Sequence, residues 1–190
     1  MKFRIFAISL FFYFLFTPYW ARTEESEEMT IFSVKIVGDQ FISAKENWPD
    51  MINDLVKCIN DDFQKQGARV QFKVVEIATW QIKEDIKSLR EALNVLMNEV
   101  PRSDYDLVIG LAERLDDENG GYYSNPGYIV VKNNSNLFFY GERETDAGIT
   151  TVQAKTWNTV MIMHEIGHFF GLPHSSNPES IMHDKRVSGG

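Results

Sequence analysis

The sequence predicts an α/β (α+β) fold built on a twisted, mostly parallel β-sheet. Between residues 31 and 112, segments rich in β-branched residues alternate with segments whose apolar residues recur at helical spacing. Such alternation requires crossover connections, which place successive strands parallel in one sheet with helices packed on it. A third helical pattern, apolar on most sides, follows near residue 160 and predicts a buried helix. At 190 residues the chain is long enough for one domain and a leader.

Strand and helix patterns alternate through the first half of the domain. Residues 31–37 predict the first strand, and the Gly-Asp pair that follows is typical of a turn. Residues 44–66 predict an amphipathic helix that stops before a glycine, and residues 68–80 predict a second strand. Residues 82–99 predict the second helix, which ends before a proline. The continuous apolar run at 106–112 predicts a strand that is buried on both faces.

The segment from residue 113 to residue 155 gives weaker signals. Two short β-rich stretches, 122–124 and 128–131, flank an Asn-Pro-Gly turn signal. Residues 136–151 mix aromatic and charged side chains and predict a long loop that leads into the third helix. We expect that helix to begin between residues 151 and 158 and to end near Phe170.

Residues 1–21 have the pattern of a secretory signal peptide, with basic residues at positions 2 and 4 and an apolar core from 5 to 16. This core is too short to span a bilayer comfortably, so we expect no stable membrane span once the leader is removed. Cleavage is expected after Ala21, but Tyr19 is bulky where a small residue is preferred, so an uncleaved membrane anchor is the alternative. The protein is therefore predicted to be secreted or to reside in the cell envelope or periplasm.

Composition narrows the possible partners. The formal net charge of −8 argues against nucleic acid and anionic membranes. Residues 22–30 are rich in glutamate and predict an acidic, flexible N-terminus for the mature chain. Cys58 is the only cysteine, so no intrachain disulfide can form. Within its amphipathic helix we expect it to be a small buried hydrophobe rather than a thiolate that binds metal.

The residues that carry chemistry lie in the stretch 164–174, which reads HEIGHFFGLPH. His164 and His168 are four residues apart, so on a helix both imidazoles lie on one face and can bind one ion. Gly171 can take the left-handed conformation that ends a helix, and Pro173 prevents the helix from resuming. The chain can then turn back and bring His174 to the same ion. Three histidines leave the fourth tetrahedral position open, as in catalytic rather than structural zinc sites.

Glu165 directly follows the first histidine and lies about 100° around the helix from it. Its carboxylate can therefore reach a zinc-bound water without binding the metal, and we expect it to act as general base and acid in amide hydrolysis. Gly167 costs about 1 kcal/mol relative to alanine inside a helix, which marks either a close backbone contact or nothing functional. His183, the remaining histidine, has no partner at a ligand spacing and is expected on the surface.

The motif resembles the zinc-binding consensus and Met-turn of the metzincin metallopeptidases. The resemblance rests on five residues of the motif and on Met182, which lies eight residues after the last of them. The five are His164, Glu165, His168, Gly171 and His174. By this resemblance the three histidines bind one catalytic Zn²⁺ and Glu165 is the catalytic acid/base. The same resemblance implies that Met182 is the apolar residue that lies beneath the metal.

The resemblance extends to the fold and the substrate. Ser175, directly after the third histidine, is similar to the matrixin branch of the family. A zincin domain spanning residues 31–190 is implied, with an antiparallel edge strand beside the active-site helix. Metzincin substrates bind in extended form as an added strand, so the implied partner is a protein or peptide. Either 122–124 or 128–131 supplies that edge strand, and the sequence does not choose between them.

Some features depart from the family or stand outside it. Only eight residues follow Met182, where metzincins usually continue with a helical segment that helps shape the specificity pocket. Either the loop at 136–151 takes over that role, or the chain is cut short. Acidic residues at 116–118 offer oxygen ligands for Ca²⁺, although a solvated loop is the simpler interpretation. The Asn133-Asn134-Ser135 triplet matches a glycosylation acceptor, which matters only in a eukaryotic source.

These observations predict a secreted zinc-dependent metalloendopeptidase. Two alternatives share the metal site. A catalytically weak or inert binding module is suggested by the very short C-terminal part, and an amidase that acts on a non-protein amide of the cell wall would use the same zinc chemistry. The sequence contains no signal for oligomeric state or for the side chains preferred at the scissile bond.

Overall fold

A five-stranded sheet dominates the computed structural model, which describes residues 28–116, 120–133, 138–139, 142–145, 148–151, 155–178 and 180–183. Its strands are β1 (Thr30–Gly38), β2 (Val70–Thr79), β3 (Leu107–Ala112), β4 (Gly121–Ser124) and β5 (Tyr128–Lys132). Their order is β2-β1-β3-β5-β4, and all neighbours are parallel except β4, which lies antiparallel to β5 at one edge. The prediction of a mostly parallel sheet with an antiparallel edge strand is confirmed, and the edge strand is the 122–124 stretch rather than the 128–131 stretch.

Three helices cover the two faces of this sheet: α1 (Trp48–Lys65), α2 (Leu89–Glu99) and α3 (Trp157–Phe169). Alternate strand residues point to opposite faces, and the two faces have separate apolar clusters. On one face Val34 and Ile36 of β1 pack with α1 and α3. On the other face Val37 packs with α2. Every residue of β3 is buried, as predicted for a central strand with helices on both sides.

The first two helices begin later than predicted. Helix α1 starts at Trp48 instead of residue 44, with a proline in its first turn, where the absent N–H costs nothing. Helix α2 starts at Leu89, so the predicted helix at 82–88 is wrong. Ser88 and Glu91 form a capping box that fixes the start, because each side chain binds the backbone N–H of the other residue. Before this cap, the side chain of Gln40 binds both the N–H and the C=O of Ile82 and holds that residue outside the helix.

Asp39 links the carboxyl ends of β1 and β3 through hydrogen bonds of its side chain. The residue directly follows β1 and is only 2 % exposed. Its Oδ1 accepts from the N–H groups of Phe41 and Ile42 at 3.0 and 2.9 Å, and its Oδ2 accepts from the N–H of Glu113, just beyond β3, at 2.7 Å. The Gly-Asp turn signal in the sequence thus marks a buried carboxylate with a structural role.

The predicted long loop at 136–151 is wrong, because the described part of this segment forms short strands. These are β6 (Phe138–Phe139), β7 (Glu142–Thr145) and β8 (Gly148–Thr151), followed by β9 (Lys155–Thr156). Strands β7 and β8 form an antiparallel pair, and β6 pairs with β9, which leads directly into α3. Strands of two to four residues are too short for a periodic pattern in the sequence to predict them.

Several other predictions concern single residues or the chain ends. Cys58 is partly exposed on α1 rather than buried. Asn133 is 6 % exposed and accepts a hydrogen bond from Asn158, so its amide is unavailable for glycosylation in the folded chain. The leader (1–21), most of the acidic start (22–27), the core of the candidate calcium loop (117–119) and the residues after His183 lie outside the described residues. Among the helices that are described, none is long and apolar enough to cross a membrane.

Candidate metal centre

The last turn of α3 and the bend after it bring three histidines together. His164 and His168 lie on the helix, which ends in a left-handed glycine, Gly171, with φ +83°. The N–H of Leu172 binds the C=O of Gly167, and the N–H of Gly171 binds the C=O of His168, both at 2.9 Å. These two bonds are the Schellman closure expected of a glycine-terminated helix. The chain therefore reverses direction as predicted, and His174 returns to the ligand face.

The three imidazoles present their Nε2 atoms to a common point. The Nε2 atom of His164 lies 3.2 Å from those of His168 and His174, and the latter two are 3.1 Å apart. Ligand nitrogens at 2.0–2.1 Å from a tetrahedral zinc ion are about 3.3–3.4 Å from each other. The spacing therefore fits one Zn²⁺ bound by three nitrogens. Within the described part of the chain, these histidines form a cluster of metal-ligand type, and Cys58 and His183 are not in it.

Backbone carbonyls fix the orientation of two of the rings. Nδ1 of His164 lies 2.7 Å from the C=O of Ile181, and Nδ1 of His168 lies 2.9 Å from the C=O of Leu172. Because a carbonyl only accepts, Nδ1 carries the proton in both rings, and the lone pair of Nε2 is left for a metal. Burial lowers the pKa of His164, and this favours the neutral imidazole that metal binding requires.

The carboxylate of Glu165 lies between α3 and the edge strand. The residue is 3 % exposed, and burial raises its pKa to about 8, against the opposing effect of a hydrogen bond from the backbone N–H of Tyr123. Among the described residues, Glu165 does not belong to the cluster of metal-ligand type. Burial therefore favours the neutral form of this carboxyl in the metal-free site, and a carboxyl perturbed in this way inside a cavity is a candidate for proton transfer.

The segment after His174 passes beneath α3 and brings Met182 against the helix. Met182 is 5 % exposed, and a Cβ placed on Gly167 would overlap its Sδ. The glycine inside α3 therefore marks a close contact, the first of the two interpretations offered by the sequence. The N–H of Ser175 donates to the C=O of Met182 at 2.8 Å and closes the loop between them. Met182 thus lies beneath the histidine-bearing helix, as the Met-turn resemblance implies.

An open cavity of about 710 Å³ runs along the histidines and Glu165. The edge strand β4 forms one wall, with Gly121, Tyr122 and Tyr123, and the bend after α3 forms another, with Leu172 and Pro173. The lining combines apolar residues with three imidazoles and a carboxyl group, a combination typical of a ligand site. The sequence predicted the histidines and Glu165 as site residues but not Gly121.

Comparison with known proteins places the chain in a family. A scan against protein-family models matches residues 50–175 to the metallo-peptidase family M12B, reprolysin-like, which covers more than half of the chain. The protein is therefore a member of this metallopeptidase family, and its likeness to the metzincins is confirmed. The matching model is the reprolysin-like one, whereas Ser175 had suggested the matrixin branch. A search of curated proteins found no significant match.

Solved structures share the fold at low sequence identity. Archaemetzincin from Methanopyrus kandleri aligns over 85 % of this chain and 83 % of its own, with a TM-score of 0.51 and 18 % identity. Metalloproteinase-II from Bacteroides fragilis aligns over 88 % of this chain and 49 % of its own, with a TM-score of 0.50 and 13 % identity. A chain in the structure of a chaperone-substrate complex gives a TM-score of 0.55 at 16 % identity over 79 % of this chain.

These structural likenesses differ in how much of the other protein they include. The chain spans only a quarter of the chain in the chaperone-substrate complex and about half of metalloproteinase-II. At identities of 13–18 % the likeness establishes the α/β architecture alone. The chemistry of this chain therefore rests on its own histidine cluster and on the family match.

Proposed function

We propose that this protein is a secreted zinc endopeptidase that hydrolyses peptide bonds of an extended protein or peptide substrate. The observation that carries the proposal is the convergence of three Nε2 atoms beside a buried carboxylate, at the floor of a cavity bounded by an edge strand. Membership of a metallopeptidase family supports it.

The chain's own residues divide the chemistry among them. His164, His168 and His174 would hold Zn²⁺, which, when bound, lowers the pKa of water and polarises a carbonyl group. Glu165 is positioned to accept a proton from the attacking water through its carboxylate. The same carboxyl then donates that proton to the amine nitrogen that leaves the tetrahedral intermediate.

The edge strand provides a backbone template for the substrate. The N–H of Lys132 binds the C=O of Gly120, so in the β4–β5 ladder the bonded pairs continue at Tyr122 and Val130. The backbone groups of Gly121 and Tyr123 therefore face away from β5, and because Glu165 accepts from the Tyr123 N–H, those of Gly121 and the C=O of Tyr123 are left for a substrate. An extended peptide can add to this edge as a further antiparallel or parallel strand, with its scissile bond beside the histidines.

The test combines metal analysis with a proteome-derived peptide cleavage profile. Purified mature protein is expected to contain about one zinc ion per chain, to cleave peptides, and to lose cleavage on chelation. Glu165→Gln should lower kcat by at least 10²-fold with zinc still bound, because the amide cannot take the proton. The matched control is Glu99→Gln on the exposed end of α2, which should cleave like the wild type.

The alternatives predict other outcomes of the same experiment. Zinc-loaded protein that is inert on the whole peptide library, yet retains its biological effect as Glu165→Gln, would identify a binding module. Release of products from cell-wall material without cleavage of casein would identify an amidase on a non-protein amide.

Export is part of the proposal and rests on residues 1–21. Expression of the full chain in a secreting host, followed by N-terminal sequencing of the exported protein, should give a start at residue 22. A membrane-bound product that retains the leader would show the uncleaved anchor instead.

A further inference from the structure

Gly121 of the edge strand lies directly against Glu165. A Cβ built on Gly121 would lie 2.9 Å from Oε1, 3.0 Å from Cγ and 3.3 Å from Cδ of that side chain. The backbone of Gly121 is not in the left-handed region, so its conformation is open to any residue. What this position requires is therefore the absence of a side chain and not glycine's conformational freedom.

The carboxylate of Glu165 is held beside Gly121 by a hydrogen bond to the edge strand. It is 3 % exposed, is anchored on α3, and accepts a hydrogen bond from the N–H of Tyr123, two residues along the same strand. A methyl group at position 121 would force the carboxylate to shift, because a real Cβ does not approach a heavy atom within 3.0 Å, and such a shift weakens its bond to the Tyr123 N–H.

We propose that Gly121 is a positioning residue, and that its bare Cα together with the Tyr123 N–H forms a carboxylate socket that holds Glu165 beside the metal centre. The inference rests on the proposed function, because it assigns Glu165 its working position. The socket gives a reason for a glycine at the first position of β4, where it offers no side chain to pack.

Amide hydrogen exchange in the metal-free protein tests the socket without any reference to activity. In the wild type the Tyr123 amide should exchange slowly, because Glu165 accepts from it. Gly121→Ala should raise its exchange rate about tenfold or more, and Glu165→Ala should do the same in case the first variant folds poorly. The Tyr122 amide, which pairs with β5, is the internal reference and should not change.

Steady-state kinetics on the zinc-loaded enzyme provide the second readout. Gly121→Ala should lower kcat by about 10- to 100-fold with KM within about twofold and zinc content unchanged, since a displacement near 1 Å is enough for such a loss. Gly110→Ala is the matched control. It adds one methyl group to a buried strand glycine that faces Leu96 and Trp80, so it should lower the melting temperature and leave kcat unchanged.

The two readouts separate failure of the socket from failure of the enzyme. Unchanged exchange of Tyr123 in both Gly121→Ala and Glu165→Ala overturns the socket, and so does a rise in KM at constant kcat. A wild-type protein that hydrolyses nothing refutes the proposed function, but fast Tyr123 exchange in the variants would still establish the contact.

Discussion

His164 and His174 present Nε2 to the same point but have very different surroundings. His164 is 1 % exposed and its Nδ1 binds the C=O of Ile181. His174 is exposed, and among the described residues the structure shows no comparable carbonyl at its Nδ1. His164 is therefore part of the protein core as well as of the proposed metal site, whereas His174 is exposed at that site.

Alanine substitutions should separate these two roles. His174→Ala is expected to abolish stoichiometric zinc binding while the metal-free protein keeps its stability within about 0.5 kcal/mol. His164→Ala should lose zinc too and also destabilise the metal-free protein by about 1–3 kcal/mol, because a buried side chain is removed and the C=O of Ile181 loses its partner. Zinc titration and urea denaturation in the presence of a chelator measure both effects. Equal destabilisation by the two variants would contradict this division.

The residues of the site differ in how well the sequence predicts them. The histidines and Glu165 are visible because metal ligation imposes a spacing on one helix. Gly167 was visible as an anomaly, a glycine inside a helix, although its contact with Met182 needed the structure. Gly121 was not visible, since its partner lies 44 residues away in the chain and no local pattern records a contact between a strand and a distant helix.

At the scale of elements, the start of α2 shows what decides a helix boundary. Apolar residues at helical spacing continue upstream of Leu89, yet the helix begins only where Ser88 and Glu91 satisfy the first N–H groups. The backbone N–H groups of Ser88 and Lys87, together with the Ser88 hydroxyl, hold the pKa of Glu91 below its usual value of 4.5. A capping signal therefore carries more information about the boundary than periodicity does.

This cap should make part of the stability depend on pH. A carboxyl with a lowered pKa in the folded state contributes stability that is present above its unfolded value of 4.5 and is lost as the pH falls through the folded value. Ser88→Ala should cost about 1 kcal/mol at pH 7. Glu91→Gln should be less stable than the wild type at pH 7, and the difference should shrink toward pH 3, as followed by urea denaturation.

The matched control for this prediction is Glu84→Gln, an exposed glutamate on the connection before α2. Its difference from the wild type should stay constant over the same pH range. A difference for Glu91→Gln that also stays constant would show that the ionised form of the cap contributes nothing.

The other elements also show that a pattern within one segment can be predicted from the sequence, whereas pairing between segments cannot. The strands β1 and β3 and the helix α3 were predicted closely, because each buries a periodic or continuous apolar pattern. The pairs β6–β9 and β7–β8 were missed, since two to four residues are too few to define a period. Which of two stretches forms the sheet edge also depends on pairing between strands, which no single stretch records.

For the whole molecule, the two apolar clusters indicate that the fold does not depend on the metal. One cluster joins β1, β3 and β5 to α1 and α3, and the other joins the opposite face of the same strands to α2. The three histidines lie at one border of the first cluster and do not join otherwise separate parts of the chain. This differs from small zinc domains, whose folding requires the ion.

Zinc should therefore raise the melting temperature without creating the fold. Binding to the native state alone adds about 2.7 kcal/mol at a free zinc concentration of 100 times Kd, which for a chain of this size corresponds to roughly 5–11 °C. Calorimetry with and without a chelator measures the shift. Loss of the far-UV circular dichroism signal on chelation at 25 °C would contradict this expectation, and His174→Ala, which binds no zinc, should show no shift.

The edge strand β4 has a consequence for self-association. A strand whose outward N–H and C=O groups await a peptide is equally open to the same edge of a neighbouring molecule, and such edges are where proteins aggregate. Here the strand is four residues long, and Glu165 already occupies the Tyr123 donor. Few backbone bonds remain for an unselected neighbour. A peptide that binds there must therefore gain most of its affinity from side chains in the cavity, and the shortness of β4 disfavours pairing with an unselected strand.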